Sequence, residues 1–437
     1  MLLQFSCTNF RSIRSEVMFS FLASSDAAGD DRVYRVAGLR VLPAAAIYGA
    51  NGSGKTTLIQ AISLMKHLVT QSVQFQPGDL LPFFPHKLSK PDEATAFDIQ
   101  FIVGGTRYAY GLSYQSDRIV SEVLYRWDTP MQGAADEHAA GEAVPGGEPT
   151  RIFERGRDID RIVIGTDYEA SLATARNVIK QNRLFLSCAA NFTPDAEIER
   201  VFLYLKHQIV HYNGNDPEWL LQSARMLHRD PAAKAFALEF LSRIGSGIRA
   251  LRTESYSRQS VETQVGLSEL TRGFLASPGM RENETEDYRI RLNYADFDIE
   301  FSEESRGVRK LIEILCPLFE MIREGKLLLW DELESSLHPV IVPRILMLFQ
   351  EKYRDNARNG NAQLLFTTHD INLLDLRIFR QDQIWFTEMR ADRSTDLYSL
   401  LEMENVQSDE NVRRGYLNGR YGALPCLQGQ NDPGGVR

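Results

Sequence analysis

Apolar and polar positions change period several times along this chain, and each change predicts an element. LLQFSCTNF at the start alternates as a half-buried strand does and stops at Asn9-Phe10-Arg11-Ser12. Residues 44–48 (AAAIY) form a short apolar run that enters a glycine-rich turn. After the turn, TTLIQAISLMKHLV carries Leu58, Ile62, Met65 and Val69 at helical spacing. The predicted order is therefore strand, glycine loop, helix. Residues 95–126 read as a β-meander of three alternating segments, parted by Gly-Gly-Thr and Ser-Asp turns. The period then becomes helical in AEIERVFLYLKHQIV, PEWLLQSARMLH and PAAKAFALEFLSRI, and strand-like again near 249–257 and 288–301.

The last third reads as α/β. RGVRKLIEILCPLFEMIREG (306–325) is amphipathic and ends on a glycine suited to a helix C-terminus. KLLLWDE and AQLLFTTHD are nearly all-apolar runs of strand length, as parallel strands buried on both faces require. VIVPRILMLFQEKYRD lies between them as a helix, so 327–366 is a predicted βαβ unit. Residues 131–149 lack large apolar side chains and read as a mobile loop, and the tail QGQNDPGGVR reads as disordered. No internal repeat or sustained heptad is present.

Composition narrows the class. The 437 residues are 43% hydrophobic and 24% charged, values of an ordinary globular protein, and the net charge of −9 argues against a generally basic nucleic-acid coat. No apolar run reaches the ~18–20 residues that span a bilayer, and the N-terminus lacks the pattern of a secretory signal. Four scattered cysteines (Cys7, Cys188, Cys316, Cys426) form no CxxC pair. A reduced, cytoplasmic protein is expected.

The candidate chemistry starts at Gly49-Ala50-Asn51-Gly52-Ser53-Gly54-Lys55-Thr56, which fits G-x-x-x-x-G-K-[ST] and is followed by Thr57. Its context, apolar strand before and amphipathic helix after, is that of a phosphate loop. Glycines let the backbone approach phosphates, and a helix N-terminus favours negative charge. Lys55 is expected on the β- and γ-phosphates of ATP, and Thr56 on Mg²⁺. LLLWDE supplies the matching acidic strand end, with Asp331 for the metal and Glu332 as general base. The bland alternative for that pair is an exposed Asp-Glu at a strand end. Trp330 reads as packing.

Lys55 and Asp331 lie too far apart for a compact P-loop domain of ~150–200 residues without an insertion. Here the sequence resembles the ABC-type ATPases, in the branch that holds RecF, SMC and the OLD and AbiL defence proteins. The resemblance rests on Asn9-Phe10-Arg11-Ser12 after the first strand, on Glu304-Ser305-Arg306-Gly307-Val308 as a degenerate ABC signature, on Leu337-His338-Pro339, and on Thr367-Thr368-His369-Asp370. It is closest to the AbiL-like proteins, through Phe97-Asp-Ile-Gln-Phe, Arg107-Tyr-Ala-Tyr-Gly-Leu and the closing segment 416–425, YLNGRYGALP.

The resemblance implies an α/β fold: an ABC-type head with a mixed, largely parallel sheet, an N-terminal β-meander and a helical insertion. It divides the chain into residues 1–190 (first half of the head), 191–289 (mostly helical insertion), 290–426 (second half) and 427–437 (tail). It places Arg11 beside the phosphates and makes His369 the switch histidine. Ser305 and Gly307 would reach a γ-phosphate on a second copy, so the working unit would be an ATP-dependent homodimer or larger homo-oligomer. Segment 416–425 could dock beside the site or on a partner, or be a Gly-rich ordered turn packed by Tyr416 and Tyr421. A phage-defence ATPase with a separately encoded nuclease or toxin is expected, the alternative being a RecF-like repair ATPase that clamps DNA. Too little chain follows His369 for a Toprim nuclease domain, no coiled coil supports an SMC-like tether, and a transporter subunit fits neither the meander nor the signature. Arg243, Arg249, Arg252 and Arg258 with Tyr256 could track phosphates, but neighbouring Glu254 and Glu262 favour a mixed-charge face, and DNA binding is not assigned.

Overall fold

The computed structural model describes residues 1–25, 32–127, 147–157, 161–214, 217–257, 286–350, 360–407 and 410–425. The predicted loop lies almost wholly outside them. So do the tail, Cys426, Arg258 and Glu262.

Two large sheets organise the described residues. The first is antiparallel and seven-stranded, in the order β10-β9-β8-β7-β6-β1-β2. Its centre is the predicted meander: β6 (Thr95–Val103), β7 (Thr106–Tyr114) and β8 (Ile119–Trp127). Gly104 (φ 59°) and Gly105 (φ 81°) make the β6–β7 turn, which needs left-handed backbone at both central residues and so selects glycine. The first predicted strand, β1 (Leu2–Thr8), pairs with β6 and with β2 (Val17–Ser20). Beyond β8 the sheet continues through β9 (Thr150–Arg155) and β10 (Ile162–Ile164).

The second sheet is mixed, in the order β11-β15-β16-β5-β17-β18. Strands β11 (Ile209–Tyr212), β15 (Leu327–Trp330), β16 (Gln363–Thr367), β5 (Ala44–Gly49) and β17 (Ile384–Met389) run parallel. Only β18 (Thr395–Ser399) is antiparallel to its neighbour. Both faces of β5 are buried, and alternate residues serve different cores. Ala45 and Ile47 join β6 and helix α1 (Lys55–Gln71), so α1 lies between the two sheets. Ala44, Ala46 and Tyr48 join the helices α5 (Pro217–Arg229), α6 (Pro231–Arg243) and α7 (Arg306–Glu324) on the opposite face. This two-sided burial is why the strand reads as an unbroken apolar run.

The predicted βαβ unit is present as β15, helix α8 (Ile341–Gln350) and β16, with β15 and β16 adjacent and parallel. Helix α7 ends on Gly325 at φ 70°, where a side chain would strike the Gly360 carbonyl. One predicted helix is shorter than its pattern. In AEIERVFLYLKHQIV, regular α-helix covers Ala196–Leu203 and a π-turn Tyr204–Gln208, and the chain then becomes β11. Ile209, Val210 and Tyr212 suit a strand, and parallel pairing with Leu327–Trp330 overrides the helical period. Residues 250–257 and 286–300 form a three-stranded antiparallel sheet beside α5 and α6. Cys7, Cys188 and Cys316 are buried and free.

Candidate functional site

The glycine loop leaves the buried end of β5 and closes into α1. Gly54 sits at φ 103°, and a Cβ there would collide with Thr395 and lie 2.9 Å from the Ser12 hydroxyl. Glycine is therefore required both for backbone shape and for room. The loop is braced from β17 and β18: Ser53 Oγ lies 2.6 Å from Thr387 Oγ1, and Thr395 Oγ1 donates to the Ser53 carbonyl at 2.9 Å. Asn51 and Gly52 face outward at the tip. Lys55 folds back over the loop, and its Nζ donates to the carbonyls of Gly49 (2.9 Å) and Ala50 (3.0 Å).

The acidic strand end meets this loop from two strands away. Thr56 Oγ1 stands 3.0 Å from both carboxylate oxygens of Asp331, and Thr367, at the end of the intervening β16, donates to the same carboxylate at 2.6 Å. The Glu332 N–H donates back to Thr367 Oγ1 at 2.8 Å. Glu332 holds a left-handed backbone (φ 51°) and projects its side chain into solvent. Such a conformation is uncommon for a residue with a side chain and is often kept at working sites. His369 is exposed two residues beyond Thr367, and its backbone N–H donates to Glu334 Oε1 at 2.6 Å.

Charge and burial shape the site together. Burial lowers the Lys55 pKa, and the nearby carboxylates of Asp331, Glu332 and Glu334 oppose that shift. The net effect is an ammonium short of solvent and held by carbonyl oxygens, which an anionic phosphate would relieve. Among the described residues, no group of three or more His, Cys, Asp or Glu could hold a metal on its own. The hard oxygens of Thr56 and Asp331 do fit Mg²⁺, which in nucleotide sites takes one or two protein ligands and fills its octahedron with phosphate and water.

Other predicted residues are placed unevenly around this centre. The Asn9-Phe10-Arg11-Ser12 turn reaches α1 through Ser12 Oγ, 3.0 Å from Thr57 Oγ1. Arg11 lies on that turn in left-handed backbone (φ 52°), its guanidinium over the rings of Phe10 and Phe84. Ser305 and Gly307 are not joined to the loop. Ser305 Oγ caps its own helix by accepting from Val308 N–H at 3.3 Å, and a Cβ on Gly307 would lie 3.6 Å from the Ser336 carbonyl. Two arginines of the supposed groove are ion-paired, Arg243 with Glu239 at 2.6 Å and Arg252 with Asp298 at 2.8 Å, and Glu254 meets Arg291 at 3.5 Å.

Segment 416–425 lies beside the site. Together with Asn51, His369, Thr387 and Arg393, Tyr416 and Leu424 line a cavity of about 620 Å³ that opens on the P-loop. Tyr416 and Tyr421 stack on Phe386 of β17, and Tyr48, at the root of the loop, packs against Tyr416.

Sequence reasoning missed Thr367 as a bridge, Glu334 as a partner of the switch segment, and the Thr387 and Thr395 braces. It also passed over His211, which lies in β11 with Nδ1 3.1 Å from Ser63 Oγ. Burial depresses the His211 pKa despite the opposing charge of Asp331. Only Glu334 had a nearby signal, as a third carboxylate two residues after the Asp-Glu pair.

Comparison with known proteins follows the same lines. No curated protein matches the chain. Among solved structures, the chain is similar to the SMC head domain from Thermotoga maritima at 14% identity and a TM-score of 0.39, covering 91% of this chain and 98% of that one. A structure described as the SmcHead bound to the C-winged helix domain of ScpA matches at 14% identity and a TM-score of 0.43, covering 91% and 97%. A family model described as "AAA domain, putative AbiEii toxin, Type IV TA system" matches residues 44–178 and 179–375, which hold the P-loop, Asp331, Glu332 and His369. The chain belongs to that family of Abi-type P-loop ATPase domains.

Proposed function

We propose that the protein binds and hydrolyses ATP with Mg²⁺ at the Lys55–Thr56–Asp331 centre, and that two copies close around each nucleotide. The observation that carries the reading is the junction of the α1 start with two strand ends: Thr56 Oγ1 at 3.0 Å and Thr367 Oγ1 at 2.6 Å from the Asp331 carboxylate, with Lys55 on the adjoining loop carbonyls. The loop backbone from Gly52 to Thr57 would take the phosphates at the α1 N-terminus, and Lys55 would exchange carbonyl partners for phosphate oxygens. The metal would neutralise charge on the transferring phosphoryl group, held by Thr56 and Asp331. Glu332, solvent-facing at the strand end, would accept a proton from the attacking water, and His369 would contact the terminal phosphate or that water.

Ser305 and the Gly307 backbone would serve the nucleotide of a second copy, so that ATP draws heads together and hydrolysis releases them. In this reading the cycle controls a separately encoded effector, a nuclease or toxin, in bacterial phage defence, and the Abi-type family description supports that context. The pairing of Arg243 and Arg252 with carboxylates lends no support to the DNA-clamp alternative.

Glu332→Gln is the decisive test. The variant should keep ATP bound, lose turnover by roughly 10²–10⁴-fold as expected for removal of a general base, and accumulate as a dimer. A monomer by light scattering at saturating ATP and Mg²⁺ would refute the two-copy site.

A further inference from the structure

Glu334 has no part in the scheme above, yet its side chain is a further tie, beside that of Thr367, between the acidic and histidine segments. It stands in the turn after β15, and one carboxylate oxygen accepts the His369 backbone N–H at 2.6 Å. The other oxygen, Oε2, is closed off from solvent and has no hydrogen-bond partner. The Glu334 charge reaches both Lys55 and Tyr48, the residues on either side of the glycine loop. A carboxylate with one oxygen committed and the other buried and idle is a poor choice for stability alone, since a buried acceptor without a donor is unfavourable. His369 itself is exposed on the cavity over the P-loop, and among the described residues no hydrogen bond orients its side chain.

We infer that Glu334 is a positioning residue for ATP hydrolysis, holding the His369 backbone amide and through it the imidazole against the P-loop. The inference rests on the ATPase reading and adds a residue to it. Asp331 and Glu332 act on the metal and the water. Glu334 acts on neither and sets where the switch histidine stands. A displacement of His369 by about 1 Å is enough to lower turnover on the order of 10²-fold. The bond needs only an acceptor oxygen, so glutamine can replace glutamate.

The test uses the full chain as wild type, Glu334→Ala, Glu334→Gln, His369→Ala and the double variant Glu334→Ala/His369→Ala. Each is measured for Mg-ATP turnover, nucleotide affinity, Tm and hydrogen exchange of the peptide spanning 367–373. Glu334→Ala should lose kcat on the order of 10²-fold while nucleotide affinity stays within about twofold, the split expected for a group that acts only in the hydrolytic step. Glu334→Gln should stay within about threefold of wild type because its amide oxygen accepts the same bond. The double variant should be no slower than His369→Ala, as coupled residues require. Exchange across 367–373 should rise in the alanine variant and not in the glutamine variant. The inference is overturned if Glu334→Ala turns over ATP as wild type does, if the two substitutions multiply, or if glutamine is as slow as alanine. A wild type that binds ATP but never hydrolyses it would instead sink the ATPase reading, and the exchange measurement would still decide whether Glu334 holds His369.

Discussion

The P-loop centre and the start of helix α7 make an instructive pair, because both are helix N-termini read from sequence as phosphate sites. At α1, the polar side chains turn toward one another across the fold: Thr56 to Asp331, Ser53 to Thr387, Ser12 to Thr57. At α7, the polar groups are satisfied locally, Ser305 by capping Val308 and Glu304 by accepting the Ser305 N–H at 2.8 Å. The first end is assembled by tertiary structure around a space for ligand. The second is a helix start capped by its own serine, with no polar contact among the described residues drawn to it from the P-loop side. Under the two-copy reading proposed above, α7 would be the end offered to another copy's nucleotide.

Substitutions can break this comparison. The largest effect is expected from Lys55→Ala, which removes the ammonium proposed to move from the loop carbonyls onto phosphate oxygens and should weaken ATP binding on the order of 10²-fold or more. Titration calorimetry that returned wild-type affinity would show that α1 is not the phosphate end. Ser305→Arg comes next. It should leave affinity of the single head for ATP unchanged while lowering turnover about tenfold or more, one lost phosphate contact of ~1.5–3 kcal/mol. Its Tm, followed in parallel, reports the lost cap separately, at roughly 0.5–2 kcal/mol. Wild-type turnover by that variant would leave α7 a capped helix and nothing more. The smallest effect is expected from Gly422→Ala. Gly422 holds φ 65°, and an added Cβ would stand 2.7 Å from the Tyr398 hydroxyl and 2.8 Å from Glu388 Oε2. The variant should lose ~1–3 kcal/mol of stability by thermal melting. If ATP affinity falls with it, segment 416–425 shapes the nucleotide pocket as well as packing beside it.

Much of the core was legible. The runs 44–48, KLLLWDE and AQLLFTTHD became β5, β15 and β16, because a parallel strand buried on both faces writes its burial as an unbroken apolar stretch. The meander was legible for the opposite reason, alternation on a sheet with different faces, punctuated by glycines with positive φ. Strand β11 was not, since four residues cannot display a period and its identity comes from pairing with β15.

Local chemistry determined the P-loop, the helix that follows it and the acidic strand end, because backbone conformation and burial act over a few neighbouring residues. Tertiary structure alone decided that Thr367 would bridge Asp331 to Glu332, that Glu334 would hold the His369 amide, and that the C-terminal tyrosines would stack behind the P-loop strand. Those contacts join residues whose meeting depends on which strands become neighbours, and strand order is set by the packing of the whole sheet. A linear pattern records how each segment is buried, not which segment lies beside it.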